Sequence, residues 1–107
     1  AIGCESFAKW VAEGTISNVK DDKKGWPQNK NFSEFTFNVS KWIKPPHNNP
    51  ETDKISFKIG WCHNTQALPE DTSGTFKFYG GNKLIGNKPD YHDPNKSPQY
   101  LYFEKVR

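Results

Sequence analysis

The sequence predicts an all-β domain, folded as a small closed or nearly closed barrel of five or six strands, with a two-sheet sandwich as the alternative. Three observations predict this fold class. Aromatic residues are 15% of the chain and alternate with polar residues in several short segments, as they do in half-buried strands. Long polar loops separate these segments at irregular spacings, which argues against a simple meander. Closure into a barrel is the economical arrangement, because it removes exposed sheet edges.

The chain of 107 residues is long enough for one domain and not for two, so we assign residues 1–107 to a single domain. Its predicted strands cover residues 10–20, 34–43, 54–61, 74–79, 84–85 and 99–106. The alternation is clearest where Phe35, Phe37 and Val39 share one face. A short helix or turn is expected at residues 5–9, before the first strand. Turn-rich loops are predicted at residues 21–33, 44–53, 63–73 and 86–98.

Two cysteines, Cys4 and Cys62, lie too far apart in the sequence for a compact metal-binding knuckle. They form either one disulfide or two unrelated buried thiols, and we predict the disulfide. A small domain with only 33% hydrophobic residues gains most from such a cross-link. Closing a loop of this length would stabilise the fold by about 4 kcal/mol in the chain-entropy model.

The chain begins Ala-Ile-Gly-Cys and contains no methionine, as expected of a mature product after removal of a signal peptide. With the predicted disulfide, this indicates a secreted protein, and the periplasm is the alternative location. Glycosylation sequons at Asn31 and Asn38 add little support for secretion, since a chain rich in asparagine produces them by chance. No apolar run approaches the roughly 18 residues of a membrane span, so an integral membrane protein is excluded. We expect a monomer.

Four segments, in chain order, carry a resemblance to a known family: WVAEGTISNV, FTFNVSKWIK, KISFKIGWC and GTFKFYGG. Together with the early Cys4, they resemble the netrin-like module of tissue inhibitors of metalloproteinases over residues 4–81. The resemblance implies an OB-type barrel. In that family, a cysteine at the mature N-terminus and its free amine grip the protease zinc. Here three residues precede Cys4 and the paired early cysteines are missing, so the resemblance implies the fold and not the inhibition.

An enzymatic interpretation would rest on His63, His92 and Glu104, because two histidines and a carboxylate can run general acid–base chemistry on a phosphodiester. A metal site would group His92 with Asp90 and Asp93 and would add His63. No HxH or HExxH spacing pre-organises two metal ligands on one element, and nothing in the sequence shows that the enzymatic set converges. We therefore expect no catalysis, no metal and no cofactor, and a small secreted hydrolase is the second alternative.

We expect a non-enzymatic binding protein, inhibitor-like or effector-like, that acts on a partner protein through loop and barrel-surface aromatic residues. The candidate contact residues are Trp26, Phe32, Trp42, Tyr91, Tyr100 and Tyr102. The first alternative is an OB-type module for oligosaccharide or single-stranded nucleic acid, since lysines interleave with aromatic rings. Nucleic acid is the less favoured ligand, because a net charge of +3 and a pI of 8.9 are modest. For Trp42 and the tyrosines, packing against the outer barrel wall is the competing interpretation.

Overall fold

The computed structural model describes residues 8–25, 30–47, 52–60, 64–65, 71–90 and 100–107. Its strands are β1 (Trp10–Gly25), β2 (Lys30–Lys44), β3 (Lys54–Gly60), β4 (Asn64–Thr65), β5 (Phe76–Gly80), β6 (Leu84–Ile85), β7 (Lys88–Pro89) and β8 (Tyr100–Lys105). No helix occurs within these described ranges. The prediction of an all-β fold is confirmed.

The strands form one open sheet and one separate hairpin. The sheet has the order β3-β2-β1-β5-β8 with antiparallel neighbours, and the short β4 adds to β8 in parallel. The hairpin consists of β6 and β7. The predicted closed barrel is wrong, because among the described strands no ladder joins β3 to β8 or to β4. The outer edge of β3 meets the hairpin instead of a closing strand: the Ser56 N–H donates to the Asn87 carbonyl over 2.8 Å.

The first two strands extend further than the sequence predicts. β1 continues to Gly25 and β2 begins at Lys30, so most of the predicted loop at residues 21–33 belongs to a long hairpin. Near its far end, Asp22 pairs with Phe32. The charged composition of this segment disfavours a strand, but pairing with a neighbouring strand overrides such a weak preference.

Two further predictions concern the N-terminal part of the chain and its cysteines. Ala8 and Lys9 are not helical, and the rest of the predicted helix or turn at residues 5–9 lies outside the described residues. Cys4 and Cys62 also lie outside the described residues. The disulfide therefore stays a prediction.

The sheet is strongly curled, and its aromatic side chains meet on the inner side, which we call the core face. Neighbouring strands of a sheet lie about 4.8 Å apart. Phe57 on β3 and Phe78 on β5 have two strands between them, yet their ring centroids are 5.8 Å apart. Only a bend that brings side chains of distant strands together allows this contact. The buried core consists of Trp10, Ala12, Phe35, Phe37, Ile55, Phe57, Phe76, Phe78, Leu84 and Phe103.

The hairpin of β6 and β7 covers part of the core face. Its Leu84 belongs to the buried core. Trp10 Nε1 donates to the Asn82 carbonyl over 3.0 Å, and Asn82 Nδ2 donates to the Asp90 carbonyl over 3.0 Å. Since buried polar groups are costly when unpaired, these two bonds hold the hairpin in one position. The hairpin thus spans from the end of β5 to the edge of β3.

The opposite side of the sheet, which we call the outer face, carries a second and smaller apolar cluster. Ala8, Val11 and Tyr79 are buried there, and Ile43 and Tyr102 pack against them. Val11 pairs with Tyr79, and Tyr79 pairs with Tyr102, so the three side chains cross β1, β5 and β8 in one row. Both faces of the sheet are therefore packed along part of their area.

Candidate functional site

Trp42, one of the six predicted contact residues, is half-buried at the margin of the core face. Its ring meets the ring of Trp10 edge-on, with centroids 6.0 Å apart and planes at 81°. Its Nε1–H donates to the Thr52 carbonyl over 3.2 Å. Both the ring and the polar end of Trp42 therefore have partners within the fold, as in a packing residue.

Tyr102, the other predicted contact residue with a described side chain, lies on the outer face. It packs against Tyr79 with ring centroids 5.8 Å apart, and the Tyr79 hydroxyl donates to Glu104 Oε1 over 3.2 Å. Trp42 contacts the core cluster on the opposite face. The structure therefore does not bring Trp42 and Tyr102 together on one surface.

The remaining predicted residues fall in or beside segments that the structure does not describe. Phe32 and Tyr100 lie within β2 and β8, and only their backbone is described. The other predicted site residues outside the described ranges are Trp26, Tyr91, His63, His92 and Asp93. Their proposed roles stay predictions.

An open groove of about 430 Å³ lies where β1, β2, β3 and β7 meet. It is lined by Asn18, Lys20, Glu34, Phe35, Thr36, Ser56, Phe57 and Lys88. The rings of Phe35 and Phe57 stack with centroids 5.1 Å apart, and each is only 3% exposed. Beside apolar surface, the groove therefore offers two ammonium groups, one carboxylate, one amide and two hydroxyls.

A β-bulge in β1 shapes one side of this groove. Ser17 pairs with Thr36 and Lys20 pairs with Glu34, so that Asn18 and the residue after it oppose a single residue of β2. Asn18 has φ of 54°, in the left-handed region that asparagine tolerates better than most residues. Bulges of this kind bend a strand and redirect its side chains, and they occur often beside binding sites.

The groove is lined by three charged side chains. Lys20 and Glu34 are opposite each other across β1 and β2, and Lys88 lies on β7. Within the described part of the chain, none of the three makes an ion pair. Elsewhere on the surface, Lys105 contacts Asp71 at 3.1 Å. Among the described side chains, the groove lining therefore carries two ammonium groups and one carboxylate that form no ion pair.

The carboxyl group of Asp71 has a lowered pKa with a local cause, and it does not line the groove. The pKa of Asp71 is lowered from 3.8 to about 2, first by the hydrogen bond from the Ser73 hydroxyl, then by the Ser73 backbone N–H and by Lys105. Asp71 Oδ1 accepts both bonds from Ser73, over 2.6 Å and 3.0 Å. These are the bonds of a tight turn before β5, and they assign Asp71 no catalytic role.

The described residues provide neither a metal site nor a membrane-spanning helix. Within those ranges, no group of three or more His, Cys, Asp and Glu side chains is placed to hold a metal ion. No helix there is long and apolar enough to cross a membrane. The groove is therefore the candidate site that the described residues form.

Sequence reasoning missed the residues that line the groove. Lys20 is the last residue of a predicted strand, and Glu34 is the first residue of the next one. Lys20 and Glu34 are opposite each other because of the bulge in β1 and because β1 and β2 pair through residues 21–33, where the sequence predicts a loop. The one local signal is Asn18, a poor strand residue inside an otherwise regular strand pattern.

The fold and the groove can be interpreted only from their own chemistry, because comparisons with known proteins give no relative. No protein-family model, no curated protein and no solved structure matches the chain.

Proposed function

We propose that the chain is a non-enzymatic binding domain that acts on a partner protein, with the groove as a contact surface. The observation that carries this proposal is that Lys20, Glu34 and Lys88 border one open groove and make no ion pair within the described part of the chain. Charges that a fold leaves unpaired around a concavity are available to a ligand, and they confer orientation and selectivity more than affinity.

The placement of the aromatic residues supports a protein over a polymer ligand. Stacking of sugars or bases needs exposed ring faces. The rings beneath the groove, Phe35 and Phe57, are buried, and Tyr79 is 5% exposed. Trp42 and Tyr102 lie on opposite faces of the sheet. Among the described residues, no continuous row of exposed rings is present for an oligosaccharide or a single strand of nucleic acid.

The hydrolase alternative receives little support from the one member of its set that is described. Glu104 lies on β8, which β1 and β5 separate from β2. Its carboxylate accepts a hydrogen bond from the Tyr79 hydroxyl. The Glu104 carboxylate therefore has a hydrogen-bond partner on the outer face, and it does not line the groove.

The proposal extends to the location and the cross-link of the domain. We propose that it is exported, with Cys4 and Cys62 joined, because a small domain with few hydrophobic residues gains most from such a cross-link. The resemblance to the netrin-like module makes a protein partner reasonable. The departures around Cys4 leave protease inhibition outside the proposal.

A capture experiment with matched variants tests the proposal. The immobilised chain is exposed to extracellular fluid, and the bound proteins are quantified for wild type, for Lys20→Gln with Lys88→Gln, and for Lys41→Gln. Lys41 is an exposed lysine of β2 that does not line the groove. We expect a partner that the double variant loses and the control retains. Equal capture by all three chains would refute the groove as the contact surface, and turnover of RNA, glycan or peptide would refute a purely binding role.

A further inference from the structure

We infer that Ile85 is the apolar anchor of the groove, the side chain that the partner protein buries in an apolar pocket of its own. This inference rests on the proposed function and names a contact residue and the chemistry that the partner must supply. Three large hydrophobic side chains are exposed in the described part of the chain: Ile85 at 61%, Val19 at 41% and Val106 at 37%. Two of them, Ile85 and Val19, adjoin residues that line the groove.

Ile85 lies at the end of the β6–β7 hairpin, on the side that faces away from the core. It pairs with Lys88 across the turn, and Lys88 lines the groove. The neighbouring pair, Leu84 and Pro89, is buried, whereas Ile85 and Lys88 are both exposed. Because successive residues of a strand point to opposite sides, Ile85 and Lys88 project together from the outward side of the hairpin. A partner that contacts Lys88 therefore meets Ile85.

The hairpin holds Ile85 in a defined position before any partner binds. The Asp90 N–H donates to the Lys83 carbonyl over 2.8 Å and joins the two arms of the hairpin. The Ser56 N–H donates to the Asn87 carbonyl over 2.8 Å and fixes the turn to β3. Rigid placement lowers the ordering cost of binding, and a β-branched side chain such as isoleucine has few rotamers to lose.

Val19 provides a second apolar contact, on the β1 side of the groove. It lies in the bulge of β1, directly between Asn18 and Lys20, which both line the groove. Apolar side chains are thus available on both sides of a lining that also carries charges. Since Ile85 exposes the larger fraction of a larger side chain, it has more apolar area to bury than Val19, and we assign the anchor role to it.

The charges of the groove favour a protein as the molecule that takes up Ile85. Lys20, Glu34 and Lys88 line the groove. The register places Lys58 on β3 opposite Glu34. Charges of both signs beside an exposed apolar side chain are typical of a protein interface, in which polar groups surround apolar anchors. An anionic lipid surface would be attracted by the lysines and repelled by Glu34, whereas a protein can complement both signs.

Affinities of chain variants for the purified partner from the capture experiment test the inference. Ile85→Ala should weaken binding about tenfold, and Ile85→Val, which keeps most of the apolar surface, about threefold. Val19→Ala should also weaken binding about threefold. Val106→Ala is the matched control, because Val106 is exposed and does not line the groove, and it should leave the affinity unchanged.

The salt dependence of these losses separates an apolar contact from an electrostatic one. The loss caused by Ile85→Ala should be the same at about 50 mM and about 500 mM salt, because salt screens charges and does not weaken apolar burial. The loss caused by Lys20→Gln with Lys88→Gln should shrink over the same range. All variants should keep the circular dichroism spectrum and the urea midpoint of wild type, since the replaced side chains are exposed.

Wild-type affinity of Ile85→Ala, or a loss that disappears at high salt, would overturn the inference. So would binding to vesicles of phosphatidylserine and phosphatidylcholine that Ile85→Ala abolishes while the affinity for the partner is unchanged. If only the double variant of Lys20 and Lys88 loses the partner, the inference fails and the proposed function stands. If no variant loses the partner, or no partner is recovered, the proposed function fails and the inference fails with it.

Discussion

Phe37 on β2 and Phe78 on β5 stack face to face, with ring centroids 3.9 Å apart, although β1 lies between their strands. The stack is possible because β1 carries small residues on the core face at this point, namely Ala12 and Gly14. Aromatic side chains of flanking strands then meet above β1. This contact bends the sheet and shapes the elements that line the groove.

Replacing Gly14 by alanine should therefore destabilise the fold. A Cβ at this position would lie 2.0 Å from the Asn38 carbonyl oxygen and 3.1 Å from Phe37 Cε1, so the stack and the β1–β2 ladder must shift. We expect a loss of about 2 kcal/mol or more in the free energy of unfolding, measured by urea denaturation. Gly86→Ala is the control, because Gly86 has φ of 62° and open space around it, and it should cost only about 1 kcal/mol. A Gly14 variant no less stable than the control would contradict the packing described here.

Asn82 is expected to stabilise the hairpin through its side chain. It is 1% exposed, and its Nδ2 donates to the Asp90 carbonyl. Asn82→Ala leaves that carbonyl without this donor, and we expect a loss of about 1–3 kcal/mol in thermal or urea unfolding. Asn87→Ala is the matched control in the same hairpin, since Asn87 is exposed and accepts from Ser56 through its backbone carbonyl. Equal stability of the two variants would show that the buried amide contributes nothing.

Asp71 should titrate well below an ordinary aspartate. Its pKa in the folded chain is about 2, compared with an ordinary value of 3.8. The folded-state pKa is thus the lower one, so the ionised carboxylate favours the folded state above pH ~4, and this contribution disappears as the pH falls through the folded value. An NMR titration of the side-chain carboxyl should give a midpoint near 2 in wild type and a higher midpoint in Ser73→Ala, because the Ser73 hydroxyl is the largest cause of the shift. A wild-type midpoint near 3.8 would show that, in solution, the turn does not form these hydrogen bonds to the Asp71 carboxylate.

Cys4 and Cys62 should be joined in the native protein. Intact mass after alkylation, with and without reduction, gives the number of free thiols directly. We expect the unreduced chain to take up no alkylating groups. Two modified cysteines without reduction would contradict both the cross-link and the main argument for export.

The core of this fold was largely predictable from the sequence, and the groove was not. Strict alternation placed Phe35, Phe37 and Phe57 on a buried face, and all three are buried in the structure. The sequence did not show whether the sheet closes into a barrel, because closure depends on how the β6–β7 hairpin covers the core. Each strand of that hairpin has only two residues, and so short a strand has almost no sequence signature. The pairing of Lys20 with Glu34 depends on a one-residue bulge in β1. Such a bulge shifts the register of strand pairing, and no hydrophobic pattern in the sequence indicates it.

The central claim is that a partner contacts the chain at the groove. Titration of the isotope-labelled protein with the partner recovered in the capture experiment, followed by amide chemical shifts, locates that contact. We predict the largest shifts at Asn18, Lys20, Ser56 and Lys88, with small changes at Tyr102 on β8. Shifts centred on Tyr102, or no shifts at a saturating excess of the partner, would contradict the assignment of the groove as the binding surface.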